Sequence, residues 1–308
     1  MTSARFLLSL SAGLILAASS LQASTIVVVK AGDSAYGRRY FSGFSSLATE
    51  KISAFRYDSG KDTALMAHIK KLAPDLIFAI GDVPLKKLAD MLPATPIIAS
   101  NAYGAPVAER ANVVLMESDP PFKTGLAFIQ SLFPARKTVG TIYNPKLSQD
   151  QFNLLVTEAG KLGLRVASLK IDSAADAKSL INAFVGKIDA FYLIRDATTA
   201  TDTALAAVYA FAVQNNIPVI TPDPDQLQRG ALMAVASDPF KLGEQAWQTA
   251  KVILAEKKIP QMPVASDSSQ EVVSISLKAS ARFGIGADAF YAFLTRALKE
   301  NYSVQVAP

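Results

Sequence analysis

The chain has 308 residues, of which 50% are hydrophobic and 19% charged, with a formal net charge of +5 and no cysteine. That composition suits one large α/β unit or two lobes of ordinary size, and it excludes a disordered chain, a disulfide scaffold and a cysteine-borne lipid anchor. The positive excess is mild and scattered in pairs such as Lys70–Lys71, Lys86–Lys87 and Lys257–Lys258, so no nucleic-acid partner is expected.

Residues 1–23 read as an export signal. Arg5 is their single charged residue, residues 7–18 form an apolar run, and the small residues of 19–23 allow cleavage after Ala23. The run is shorter than the roughly 20 residues that span a bilayer. Removing the segment takes the net charge from +5 to +4. The mature product is expected in the periplasm, free and without a lipid anchor.

Beyond the signal, short β-branched runs alternate with longer helical stretches. Residues 25–30 (TIVVVK) predict a buried strand, followed by a helix to 47, a strand at 52–57 and a helix at 63–72. A strand at 75–80, a helix at 83–91 and a strand at 96–99 complete this set. The alternation then restarts: helix 120–132, strand 138–143, helix 148–162, strand 165–171, helix 174–184, strand 190–194, helix 202–215, and strands 218–221 and 231–236. A long amphipathic helix at 240–256, a Pro- and Ser-containing stretch at 259–269, a strand at 271–276 and terminal helices finish the chain. Near-continuous apolar strands alternating with amphipathic helices imply parallel sheets covered on both faces. The fold class is therefore α/β, with two doubly wound parallel-sheet lobes and a ligand cleft between them.

In open α/β sheets, ligands bind beyond the carboxyl ends of the strands, where loops and helix amino-termini offer free backbone donors. The loops that end these strands supply the candidate ligand-binding residues Asp33, Ser34, Gly81, Asp82, Ser100, Asn101, Tyr103, Asn144, Arg195, Asp196, Asp223 and Asp225. Turn formation alone accounts equally well for any one of them. Arg195 and Asp223 or Asp225 follow consecutive strands, so they could flank one zwitterion. The alternative for Arg195 is an exposed surface pair with Asp196 or a neighbouring acid.

Catalytic equipment is lacking. Gly32-Asp33-Ser34 is similar to the nucleophile block of GDS-type hydrolases, but the single histidine, His68, falls in a predicted helix and reads as a helix-surface residue. Gly284-Ile285-Gly286 has no strand before it, as a dinucleotide fingerprint requires. One histidine and no cysteine exclude the usual zinc spacings, and Asp223-Pro224-Asp225 lacks the remaining oxygens of a calcium loop. Trp247 reads as core packing, and Asp172, Asp176 and Asp189 as caps and turns. No cofactor, metal or enzymatic activity is expected.

Six stretches in order resemble the solute-binding proteins of ABC importers, in the branch that includes tryptophan- and phenylalanine-binding members. They are PDLIFAIGDVPLKKLAD (74–90), LFPARKTVGTIYNP (132–145), AGKLGLRV (159–166), KIDAFYLIRD (187–196), NIPVITPDPDQLQRGALMAVASDPFKLGEQA (216–246) and SISLKASARFGI (274–285). The resemblance implies the type I periplasmic binding protein fold, with three crossovers between lobes. It divides the chain into a signal (1–23), a first lobe (24–117 plus 238–268) and a second lobe (118–237 plus 269–308). It also implies a monomer that captures a small polar, amino-acid-like ligand by lobe closure and delivers it to an ABC permease with its ATPase. A sensory module for a membrane signalling protein is the alternative, and a GDS-type hydrolase a more distant one. The chain departs from the aromatic binders in two loops. Gly81-Asp82-Val83 replaces a Thr/Ser-rich segment, and Arg195-Asp196 replaces a Thr-Asp pair.

Overall fold

The computed structural model describes residues 24–58, 62–100, 102, 110–116, 122–260 and 271–308. The candidates Asn101 and Tyr103, the export signal, and most of the Pro- and Ser-containing stretch lie outside these residues.

The first sheet is built from β1 (Ile26–Ala31), β2 (Ile52–Tyr57), β3 (Leu76–Ile80), β4 (Ile97–Ser100) and β5 (Val113–Leu115), in the order β2-β1-β3-β4-β5, all parallel. Strand periodicity of two sends alternate residues to opposite faces. Accordingly, Ile26 and Val28 join one buried cluster while Val27 and Val29 join another. Helices α1 (Ala35–Ser46) and α8 (Pro239–Glu256) cover the first face, and α2 (Asp62–Leu72) and α3 (Asp82–Met91) cover the second. With both faces buried, the inner strands β1, β3 and β4 carry no polar alternation and read as nearly continuous apolar runs, whereas the edge strand β2 keeps Ser53 and Arg56.

The second sheet runs β12-β11-β10-β9-β8-β6-β7, comprising β6 (Thr138–Tyr143), β7 (Arg165–Lys170), β8 (Ala190–Tyr192), β9 (Val219–Thr221), β10 (Met233–Ser237), β11 (Glu271–Ser276) and β12 (Ser303–Ala307). Its pairings are parallel except β10 with β11. One face is covered by α4 (Phe122–Leu132), α5 (Pro145–Lys161) and α10 (Ala287–Lys299), the other by α6 (Ala174–Leu180) and α7 (Asp202–Gln214). A short α9 (Leu277–Arg282) follows β11.

Helix α8 leaves the second sheet and returns to the first. Asp238 caps its start, Pro239 supplies the first-turn proline, and Trp247 packs edge-on against Phe44 with ring centroids 5.2 Å apart. Where α8 crosses α1 the backbones touch: a Cβ at Gly43 would stand 1.9 Å from the Phe240 carbonyl oxygen, and one at Gly243 would stand 2.2 Å from that of Tyr40. Neither position has room for a side chain.

Several elements differ from the sequence expectation. The helix expected over 174–184 changes at Ile181 into a 3-10 turn, Ile181–Phe184. The loop after β9 contains a 3-10 helix, Pro224–Arg229. Strands β5 and β12 were not expected, β5 because three residues are too few to show a period, β12 because it is an exposed edge strand with little apolar signal. Helix α5 starts at Pro145 and kinks at Ser148, whose φ of −139° is not helical. Asp176 closes a capping box with Ser173, and Asp189 accepts from the Lys137 and Thr138 amides at 2.9 and 2.8 Å, as caps and turns should.

Candidate functional site

A crevice of about 90 Å³ lies where the start of α1, the loop after β9 and the end of β10 come together, lined among others by Tyr36, Arg39, Asp225, Val272 and Gln305. Tyr36 Oη donates to the Ser237 carbonyl at 2.9 Å, and Arg39 stands 3.1 Å from Asp238. Both contacts grip the β10–α8 crossover, so the crevice lies beside the segment that links the two sheets.

On the first-sheet side, Ser34 caps α1, its Oγ accepting from the Gly37 amide at 2.9 Å. Asp33 is exposed and paired with Arg38 at 3.1 Å. Gly81 holds φ at +107°, its amide donates to the Ser100 carbonyl at 2.9 Å, and a Cβ there would stand 2.7 Å from Ala31 Cβ. Asp82 sits in the first turn of α3, where its charge suits the helix dipole. Ser100 is buried, and its Oγ has no hydrogen-bond partner among the described residues. His68 is on the α2 surface, edge-on to Phe55.

The second-sheet side is organised by Asp196, which is 1% exposed. Its carboxylate accepts from the Asn144 amide (3.0 Å), Ser148 Oγ (2.6 Å), and the Thr198 and Thr199 amides (2.8 and 2.9 Å). A buried carboxylate needs such donors to offset its lost hydration. The Ser148 bond explains the kink in α5, because the hydroxyl is drawn to Asp196 at the expense of regular helix. Asn144 caps α5, and its Nδ2 donates to Thr198 Oγ1 at 2.9 Å. Asp196 and Asn144 thus spend their polar atoms on joining two loops.

That junction presents Arg195 toward Asp223, with Nη1 and Oδ2 3.5 Å apart. The side chains are only 17% and 14% exposed, so the pair is largely buried and not the exposed loop pair that the sequence suggests. Asp225 lines the crevice itself; burial and the neighbouring Asp223 raise its pKa, with Arg195 and Arg38 partly opposing them. The effect of Arg38, on α1, shows charges from both sheets acting at one point. Sequence reasoning missed Arg39 and Ser148. Their partners lie 199 and 48 residues away, and no local spacing announces such a contact. Among the described residues no cluster of three or more His, Cys, Asp or Glu could hold a metal.

Comparison with known proteins fixes the family. The sequence model described as ABC transporter substrate binding protein matches residues 48–289, most of the chain. The chain belongs to that family. A curated tyrosine-binding protein from Clostridioides difficile (strain R20291) is 29% identical over 150 residues, 48% of this chain and 43% of that protein. The matched part therefore spans less than half of that relative's length. A crystal structure titled an ABC domain in complex with L-Trp, from Streptococcus pneumonia, superposes with a TM-score of 0.66 at 21% identity, covering 91% of this chain and 100% of that one. A conserved domain protein from Vibrio cholerae gives 0.67 at 20% identity, covering 92% and 99%. A ligand-free, open substrate binding protein with adhesive properties from Clostridium difficile gives 0.62 at 21%, covering 92% and 100%. These likenesses show the fold, the two-lobed type I periplasmic binding protein architecture. Family members are binding proteins that serve ABC transporters from outside the cytoplasm.

Proposed function

We propose that the protein captures a small zwitterionic, amino-acid-like solute between its lobes and hands it to an ABC importer, without chemistry on the solute. The observation that carries this reading is a crevice lined by Arg39 of α1 and by Asp225, with the Arg195–Asp223 pair acting on Asp225 from behind it, in a chain of this family. A zwitterion needs both an anion partner and a cation partner, and the crevice offers each within one cluster. Residues 24–117 plus 238–268 would form one lobe and 118–237 plus 269–308 the other, with closure about the β10–α8 crossover driven by the ligand's greater affinity for the closed state. Asp33, Ser34, Gly81, Asp82, Ser100, Asn101 and Tyr103 are assigned to the first lobe's side of the ligand, and Arg195, Asp223 and Asp225 to the second, with Asn144 and Asp196 holding their loops.

Export through residues 1–23, a free periplasmic monomer and the absence of enzymatic turnover belong to the same reading. The tyrosine-binding relative and the L-Trp complex support an amino acid as the ligand class. A sensory role is not favoured. Native mass spectrometry of the freshly purified mature chain, followed by calorimetry with L-amino acids, tests the proposal. A co-purifying amino acid and a smaller scattering radius at saturation are expected. Absence of binding to every L-amino acid would overturn it.

A further inference from the structure

The second lobe holds another pocket beside the crevice. It has a volume of about 140 Å³ and lies between the loop after β8, the start of α7 and the 3-10 helix after β9. Leu193, Ala200 and Leu205 give it an apolar side, while Arg195, Gln226 and Arg229 give it a polar one. Its charges are already matched, Arg195 with Asp223 at 3.5 Å and Arg229 with Asp202 at 2.7 Å. A charged occupant would compete with these pairs; a neutral one would not.

Hydrogen bonding is not matched. Gln226 is 8% exposed, its Nε2 donates to Asp223 Oδ2 at 3.2 Å, and its Oε1 is buried with no partner among the described residues. The bond to Asp223 fixes which end of the amide is oxygen, because a carboxylate only accepts. Tyr209 Oη is likewise buried without a partner among the described residues. Burial, followed by the Asp223 carboxylate, raises the Tyr209 pKa, so the group stays a neutral hydroxyl; Asp223 and Arg229, which act on it, both line the pocket. Buried polar atoms in native proteins nearly always find partners, so the Gln226 orphan, on a residue of this pocket's wall, points to an occupant. The volume is close to the roughly 150 Å³ of a cavity that accepts a benzene-sized group.

We propose that this pocket takes the side chain of the captured amino acid, a neutral side chain ending in a hydrogen-bond donor that meets Gln226 Oε1. The inference rests on the crevice being an amino-acid site, since the Arg195–Asp223 pair that lines this pocket also acts on Asp225 in the crevice. A primary amide and a phenolic hydroxyl share the required chemistry.

Calorimetry on the ligand-free mature chain with two size-matched pairs, L-glutamine against L-methionine and L-tyrosine against L-phenylalanine, separates the two sources. The donor-bearing member should bind about tenfold tighter or more in at least one pair, because its absence leaves the buried acceptor unpaired. Gln226→Met should bring the members of that pair to within about threefold of each other. Gln226→Glu, an alternative should the first variant fail to fold, should move the preference toward L-lysine. Equal affinities in both pairs for the unmodified chain, a preference surviving Gln226→Met, or no shift toward L-lysine in Gln226→Glu would overturn the subsite while leaving the amino-acid reading intact. Binding of no amino acid at all would overturn both.

Discussion

The two sides of the cleft are built by different means. On the first-sheet side local conformation sets the loops: a glycine at φ +107°, a capped helix start and a buried serine whose hydroxyl has no partner among the described residues. On the second-sheet side the work is done by side chains bonded to one another, with Asp196 joining two loops and Arg195 held at Asp223. One side depends on conformation that few residues can adopt, the other on charges whose orientation is fixed before a ligand arrives. Preorganised charges lose less freedom on binding.

The sharpest way to break this contrast is Asp196→Ala. It would strand four donors, three of them in the loops that carry Arg195 and Asn144, and should cost about 3–5 kcal/mol in chemical denaturation. A loss below about 1 kcal/mol would show that the junction is not what holds that side. On the opposite side Gly81→Ala should cost about 2–3 kcal/mol, combining a φ that side chains avoid with a 2.7 Å approach to Ala31. Asp196→Ala acts through lost bonds and Gly81→Ala through lost conformation, so only the former should be partly rescued by the isosteric Asn.

Arg195→Ala should weaken ligand binding by about tenfold to a hundredfold in calorimetry. Because the pair is largely buried, it should also lower the melting temperature of the empty protein, which an exposed pair would not do. Asp225→Asn should weaken binding yet slightly raise stability at neutral pH. The Asp225 pKa is raised in the folded state, so the folded protein holds this proton more tightly than the unfolded chain does. Its contribution to stability is therefore present at acid pH and lost as pH rises through the folded pKa. The variant and the unmodified protein should melt together below the carboxylate range and separate above it. The smallest expected effect is Gly160→Ala, at the far end of α5 from the cleft, where a Cβ meets nothing within 4 Å. It should stabilise by about 0.5–1 kcal/mol and leave affinity unchanged.

Much of the scaffold is legible in the chain. TIVVVK specifies a doubly covered strand by its unbroken β-branched run, and the helix expected over 202–215 forms with Thr201 as its cap, whereas the helix expected from 148 starts earlier, capped by Asn144. The GDS tripeptide illustrates the limit: its serine is a helix cap, and a cap and a nucleophile look alike in sequence. Likewise the DPD tripeptide becomes the start of a 3-10 helix, in which Asp223 accepts from the Asp225 amide at 3.1 Å.

By itself, then, the sequence determined most of the strands and helices, that two such sets exist, and at which strand ends polar residues gather, because periodicity, capping and turn chemistry act within a few residues. Only the tertiary structure decided that Arg195 meets Asp223 and not Asp196, that Asp196 is buried as a loop anchor, that α8 closes on α1 at Gly43 and Gly243, and that the Gln226 oxygen, beside a pocket, has no partner among the described residues. Those outcomes depend on contacts between residues distant along the chain, whose energies come from burial and from the exclusion of water when the sheets assemble, and no local pattern encodes them.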